Sequence, residues 1–549
     1  MSSSNPPPTP SRRPRLFAVA VLLAGGLFVR ALGVDADLSS PRLAFDEDYV
    51  VSDAFHFAAD RTIVPNSYFY PPLYSYVLTA GLGAWYAGGR VAGEFESVDD
   101  FGWEHYLRPA RFHLVGRLLT LSFAAATLLV VLRLGGEYRA WPVGLVAAIL
   151  LAGERVHVER SHYALPDVPM VLFAAWASLE LVRIARGGAR GAYLRAGLAI
   201  VLAAATKYNA GVLALGLPVA HLEACGGRPI AALRSGRPWA AAAVAAAAFL
   251  AAAPIWFVAP DRAAAGLAFE QANVQEGGHV GQVPDEPWAW VARSATALEP
   301  FLAAFIGLGL VSAPFRRTRG TWTLLAVSVV TFLYVGSWVK QSLHYLLPIL
   351  PALAVLAGDA LCGLVEAVPE RRRAIPFVLA AIAIAPGVRD SVVWGRDLYR
   401  PDTRDEARWW IEEHVPARSR IAVDSHMHVQ LPELRSFPHW RDYARGNQDA
   451  PDALRARIEV FGREAALYDV VSVRAELKEP EIPERYREQV ERHPSLDRHF
   501  RRRWRTPEEL AADGVEAIVT TGAYRDRFTG AMPADDIVLY PFTGAGAVF

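Results

Sequence analysis

Apolar runs of membrane-crossing length recur along the chain, separated by short polar segments rich in arginine. A helix needs roughly 20 apolar residues to cross a bilayer. The first run is Leu16–Val34. Further runs lie at Phe112–Leu132, Trp141–His157, Val168–Ile184, Ala196–Thr206, Asn209–His221, Trp239–Val258, Ala292–Pro314, Thr321–Trp338, Tyr345–Val365 and Ala374–Val388. This pattern predicts an α-helical polytopic membrane protein of about eleven spans. The two runs around Thr206-Lys207-Tyr208 read equally well as one broken helix.

The arginines set the expected topology. Arg133 and Arg139 fall between two runs, as do Arg183, Arg186, Arg190 and Arg195. The same holds for Arg228, Arg234 and Arg237, for Arg316, Arg317 and Arg319, and for Arg371, Arg372 and Arg373. The positive-inside rule puts these five loops in the cytoplasm. The parity then requires Pro71–Tyr86 to lie along the outer face rather than to span, so residues 35–109 form one large outer loop. Ser161–Pro166, Pro260–Trp290, Lys340–His344 and the C-terminal region are outer by the same count.

After Arg389 charged residues become dense and apolar runs shrink to strand length. RDEARWWIEEHVP reads as an amphipathic helix with Ala407, Trp410 and Ile411 on one side. SRIAVDS, ALYDVVSVRAE and GVEAIVTTGAY read as strands. Helices alternating with strands predict a small extracytoplasmic α/β domain over Asp402–Phe549. The expected organisation is a Ser/Pro-rich, disordered cytoplasmic N-terminus (1–15), a transmembrane domain (16–396) and the extracytoplasmic domain (397–549), in a plasma or inner membrane.

Composition narrows the function classes. Hydrophobic residues make up 53% of the 549, and Lys+Arg and Asp+Glu number 56 each, so no basic excess points to nucleic acid. Two cysteines, Cys225 and Cys362, exclude a disulfide framework and a Cys-rich zinc site. No Walker A loop, strand-linked GxGxxG or HExxH occurs.

Candidate chemistry centres on Leu43–Leu78. Asp46, Glu47 and Asp48 follow the first run, and an aromatic, proline-broken turn lies at Tyr68–Tyr74. Carboxylates at the mouth of a membrane cavity are costly and so point to function. Asp46 is the candidate base for glycosyl transfer to a hydroxyl; acids are also ordinary in a first helical turn. Asp167 opens a later run, as an N-cap or as a second active-site carboxylate. Arg160 and His162 lie close by in sequence, placed to bind phosphate or to pair with Asp167. Lys207 interrupts an apolar stretch and needs an anion, or else snorkels to the interface. Lys340, His344 and Tyr345 add cations and donors to the outer surface, where an interfacial belt is the plainer account. His279, between glycines in an outer loop, and Tyr70, in the aromatic turn, are candidate lid or acceptor-binding residues. DSHMHV carries two histidines and Asp424 without further ligands.

Five segments together resemble the GT-C superfamily of polyprenyl-phosphate-sugar transferases, in the branch holding protein O-mannosyltransferases and bacterial aminoarabinose transferases. They are the Asp-Glu pair in FDEDY, then YFYPPLYSYVL, RSHYALPDVPMVLF, TKYNAG and HYLLPILPAL. The resemblance implies hexosyl or pentosyl transfer from a polyprenyl-phosphate donor to a lipid, glycan or protein acceptor on the outer face. It implies catalysis by Asp46 with Glu47 and Asp167. It implies a phosphate pocket drawing on Lys207 and the His344-Tyr345 segment, to which Arg160 and Lys340 are candidate additions. Tyr70 stands where many relatives carry a polar ligand before Pro-Pro, so a divalent metal is compatible with the pattern without being required by it. His344 stands where many have arginine. A flippase of a lipid-linked sugar is the rival reading, although no inverted repeat accompanies it.

Overall fold

The computed structural model describes residues 12–36, 45–66, 70–277, 285–365, 373–400, 403–423, 436–472, 474–476, 502–505, 507–521 and 537–541. His279, Asp424, Tyr68, Phe69 and the first eleven residues fall outside this set. The transmembrane part is helical. Among the described residues, five helices are long and apolar enough to cross a membrane: Arg13–Ala31, Pro109–Tyr138, Asp167–Ala185, Leu343–Gly363 and Ile375–Asp397. Four shorter apolar helices join them, at Trp141–Gly153, Arg237–Ala252, Pro300–Arg316 and Thr321–Gly336. The protein is multi-pass, while the expected eleven spans exceed the helices that meet the length criterion.

The first and last of these long helices meet at their ends. Gly33 has φ of +92° and ends the first helix beside Gly395, where a Cβ would stand 2.7 Å from the Gly395 carbonyl oxygen. Both the left-handed backbone and the close approach demand glycine there.

Two helices form the body of the first loop. Phe45–Ala59 begins with all three acids in its first turn. Leu73–Ala92 follows the Pro71-Pro72 turn and ends at Gly93, whose φ is +74°. Their apolar faces share a core of Val50, Val51, Ala54, Tyr74, Leu78 and Leu82 with Phe112 and Leu165.

Two of the expected spans are broken where function was expected. The helix Arg190–Thr206 stops at Lys207, which is extended (φ −152°, ψ 125°), and a 3-10 segment Tyr208–Leu215 follows. The chain then reverses, since the Tyr193 hydroxyl near the start of Arg190–Thr206 meets His221 Nδ1 near the end of the helix Gly216–Ala224, so the two runs stay separate rather than forming one broken helix. Similarly, Leu343–Ile349 is a 3-10 turn around Pro348 before the α-helix Leu350–Gly363. A break turns side chains out of the apolar register and lets polar groups converge.

The C-terminal region is α/β. Strands β1 (Arg420–Val423), β2 (Asp469–Ser472), β3 (Arg474–Glu476), β4 (Arg502–Trp504), β5 (Ala517–Thr521) and β6 (Ile537–Pro541) follow one another along the chain. One sheet has the order β2-β1-β5-β6, parallel except for the β5–β6 pair, and β3 and β4 make a separate antiparallel pair. This domain rests on the first loop. Trp103 and Tyr106 of the helix Val98–Leu107 meet Tyr443 at ring distances of 5.1 and 4.7 Å, and Arg457 pairs with Asp100.

Candidate active site

Asp46 and Glu47 diverge completely in environment. Glu47 is fully buried in a bidentate pair with Arg117, at 3.0 and 2.8 Å, and also accepts the Ala164 backbone N–H. Arg117 spends its remaining fork on the carbonyls of Val34 and Ala36. Glu47 therefore fastens the loop helix to the long helix Pro109–Tyr138 and to the turn before Asp167. Asp48 bonds His113 Nε2 at 3.0 Å. Asp46 is half-exposed and accepts the Tyr70 hydroxyl at 2.8 Å through Oδ2. Burial first, then the neighbouring Asp46 charge, hold the Tyr70 phenol well above its ordinary pKa, so it stays a donor.

Asp167 opens its helix at the first position, and Pro166 stands at the N-cap. Its carboxylate accepts Lys207 Nζ at 2.7 Å, with both groups buried. The Lys207 ammonium also lies 5.7 Å from the Tyr70 ring centre and 5.4 Å from that of Tyr345. Of its three N–H donors, Asp167 takes one. Lys207 does not snorkel; it is held by one anion and two aromatic faces.

Arg160 pairs with His344 rather than with Asp167. Its Nη2 stands 3.0 Å from His344 Nδ1. A guanidinium only donates, so Nδ1 must be the unprotonated nitrogen and His344 is neutral, with its proton on Nε2. His344 thus offers a hydrogen bond and no charge. His162 bonds the backbone carbonyls of Val158 and Leu32.

Of these groups Tyr70, Lys207 and Tyr345 line an open cleft of about 450 Å³. Tyr70, Lys207, Tyr208 and Asn209 line one part of it, Tyr334, Trp338 and Tyr345 another, and Glu270 and Gln271 a third. Lys340 is not in the lining, but it lies within electrostatic reach of Glu270, Asp46 and Lys207. Burial lowers its ammonium pKa. No three His, Cys, Asp or Glu side chains converge into a metal-ligating set among the described residues.

Sequence reasoning missed Glu270, Asn209 and Trp338. Asn209 lay inside the quoted TKYNAG segment. Glu270 lay in FEQAN, next to an outer loop already singled out. Arg117 carried the clearest unused signal, a lone arginine inside the apolar run Phe112–Leu132, which requires a buried acid.

Residues 113–257 match the family described as dolichyl-phosphate-mannose-protein mannosyltransferase. ArnT from Cupriavidus metallidurans bound to undecaprenyl phosphate has a similar structure, with TM-score 0.52 at 14% identity over 77% of this chain and 84% of that one. AglB, the oligosaccharyltransferase from Archaeoglobus fulgidus in complex with an inhibitory peptide and a dolichol-phosphate, gives TM-score 0.52 at 12% identity over 98% of this chain and 76% of its own. No curated protein matches in sequence. At these identities the structural likeness is one of fold. The chain shares the fold of these two proteins, and its residues 113–257 match the mannosyltransferase family, in line with the GT-C resemblance of its five motifs.

Proposed function

We propose that this membrane protein is a glycosyltransferase that moves a hexosyl or pentosyl unit from polyprenyl phosphate to an acceptor hydroxyl at the outer face. One observation carries the reading. A single side chain, Tyr70, has its hydroxyl on Asp46 and its ring over Lys207, so a candidate base and a candidate phosphate-binding cation stand one phenol apart.

Asp46 takes the proton of the acceptor hydroxyl through Oδ1, the oxygen Tyr70 leaves free. The acceptor oxygen bonds to the anomeric carbon. The bond from that carbon to the phosphate oxygen breaks, and its electron pair leaves on the polyprenyl phosphate. A phosphate departs without an acid, so one base suffices. Lys207 offers its two remaining N–H groups to the leaving phosphate, and Arg160 beside His344 adds further positive charge. Asp167 holds Lys207 in place and keeps it charged. The outer-face location is supported by the arginine-rich loops and by the contact of the first loop with the C-terminal domain. The acceptor, whether lipid, glycan or protein, meets Asp46 from the exposed side.

The test is release of undecaprenyl phosphate by the purified protein in liposomes. Mannosyl, glucosyl, galactosyl and xylosyl forms of undecaprenyl phosphate are supplied with an extract of envelope acceptors. Sugar-bearing product with stoichiometric undecaprenyl phosphate is expected from at least one donor. Movement of the intact donor between leaflets without cleavage would overturn the reading.

A further inference from the structure

The cleft holds more hydrogen-bond acceptors than a phosphate can use. Phosphate oxygens accept and so call for donors, which Lys207 supplies in the lining. Glu270, also in the lining, is an acceptor when ionised. Asn209 is a second. Its Nδ2 donates to the Tyr345 carbonyl at 3.0 Å, which fixes the amide orientation, and its buried Oδ1 has no partner among the described residues. Beside them the indole N–H of Trp338, a residue only 4% exposed, meets no acceptor among the described residues. Leaving such groups unpaired in a buried setting costs free energy, so a ligand is the economical explanation.

The combination of two acceptors, one neutral donor and several aromatic faces suits a ring carrying hydroxyls, each of which both donates and accepts. Building on the transferase reading above, we propose that Glu270, Asn209 and Trp338 form the subsite that recognises the hydroxyls of the donor sugar.

The local structure supports this assignment. Glu270 lies near the end of the helix Pro260–Ala272, and its neighbour Gln271 accepts the Tyr334 hydroxyl at 3.1 Å, pinning that helix against Thr321–Gly336. The Trp338 ring packs edge-on between Tyr334 and Tyr345, with centroid distances of 5.1 and 5.2 Å. Both elements are thus braced by contacts outside the proposed subsite. Glu270 and Lys340 feel each other's charge, yet no ion pair joins them among the described residues. The carboxylate takes a side-chain hydrogen bond from Asn273, and its other lone pairs remain for a ligand. Burial raises its pKa, an expense that an unpaired surface acid would not carry.

The experiment measures binding of undecaprenyl phosphate and of its mannosyl, glucosyl, galactosyl and xylosyl forms to the full-length protein in nanodiscs. At least one sugar form should bind about tenfold more tightly than undecaprenyl phosphate, the worth of one charge-assisted hydrogen bond. Glu270→Gln should remove most of that gain while leaving affinity for undecaprenyl phosphate itself within about twofold. Trp338→Phe, which keeps the ring and deletes the N–H, should remove part of it. Equal weakening of all ligands by both variants would overturn the subsite, as would a full gain in both. Binding of undecaprenyl phosphate with no gain for any sugar would overturn the subsite and leave the transferase reading standing. Binding of none of the five would overturn both.

Discussion

Arg117 reaches across 70 residues of chain to clasp Glu47 at 3.0 and 2.8 Å, while Asp46, one residue earlier, stays half-exposed and accepts the hydroxyl of the cleft residue Tyr70. Two adjacent acids in one helical turn lie about 100° apart around the axis, so they face different surroundings. Burying one fixes the other's position. The fastener and the candidate base are thus built from a single dipeptide.

Removing one half of that clasp leaves an uncompensated buried charge. Glu47→Gln or Arg117→Met should each cost about 3–5 kcal/mol. The double substitution should recover much of the loss, because no lone charge remains. Thermal unfolding in detergent checks this, and recovery by the double variant separates a structural role for Glu47 from a chemical one.

Asp167 and Lys207 should behave as one unit. Lys207→Met leaves a buried carboxylate unpaired and should cost about 3–5 kcal/mol. Asp167→Asn with Lys207→Met should restore folding and leave transfer abolished, since the phosphate-binding ammonium is gone. Unfolding and donor turnover measured on the same preparations would check both halves.

The apolar runs and the α/β tail were legible because each follows a local rule. A bilayer demands long apolar segments, and strands demand short β-branched ones. The interruption at Lys207 was legible because a lysine in an apolar stretch needs a partner. Its partner was another candidate, Asp167, but nothing local links residues 40 apart. The Glu47–Arg117 clasp and the Arg160–His344 contact are likewise long-range, and Glu270 reaches the cleft only through packing of its helix. The runs at Asn209–His221 and Ala292–Pro314 divide into shorter helical pieces, Tyr208–Leu215 with Gly216–Ala224 and Ala289–Leu298 with Pro300–Arg316, a division that their apolar pattern alone does not mark.

Tyr70 contributes a hydroxyl to Asp46 and a ring to Lys207. Tyr70→Phe keeps the ring, so donor binding should persist. Loss of the hydrogen bond that orients the carboxylate should slow turnover about tenfold, with little change in KM. Steady-state kinetics at fixed acceptor concentration would test the split.

His105 gives the first loop a pH sensitivity. Its ring stacks on Phe55 at 4.1 Å, and burial lowers its pKa from 6.5 to about 4. Between those values the unfolded chain binds more protons than the folded one. The stabilising contribution is therefore complete above about pH 6.5 and is lost as pH falls toward 4. His105→Phe should flatten the melting temperature across that window. A curve unchanged by the substitution would remove His105 as the cause.

The central claim is that Asp46 accepts the proton of the acceptor hydroxyl. Single-turnover transfer by Asp46→Asn, with donor binding measured on the same sample, tests it most directly. We predict donor affinity close to that of the unaltered protein and transfer reduced by about 10²–10⁴-fold. Transfer at the unaltered rate would contradict the account.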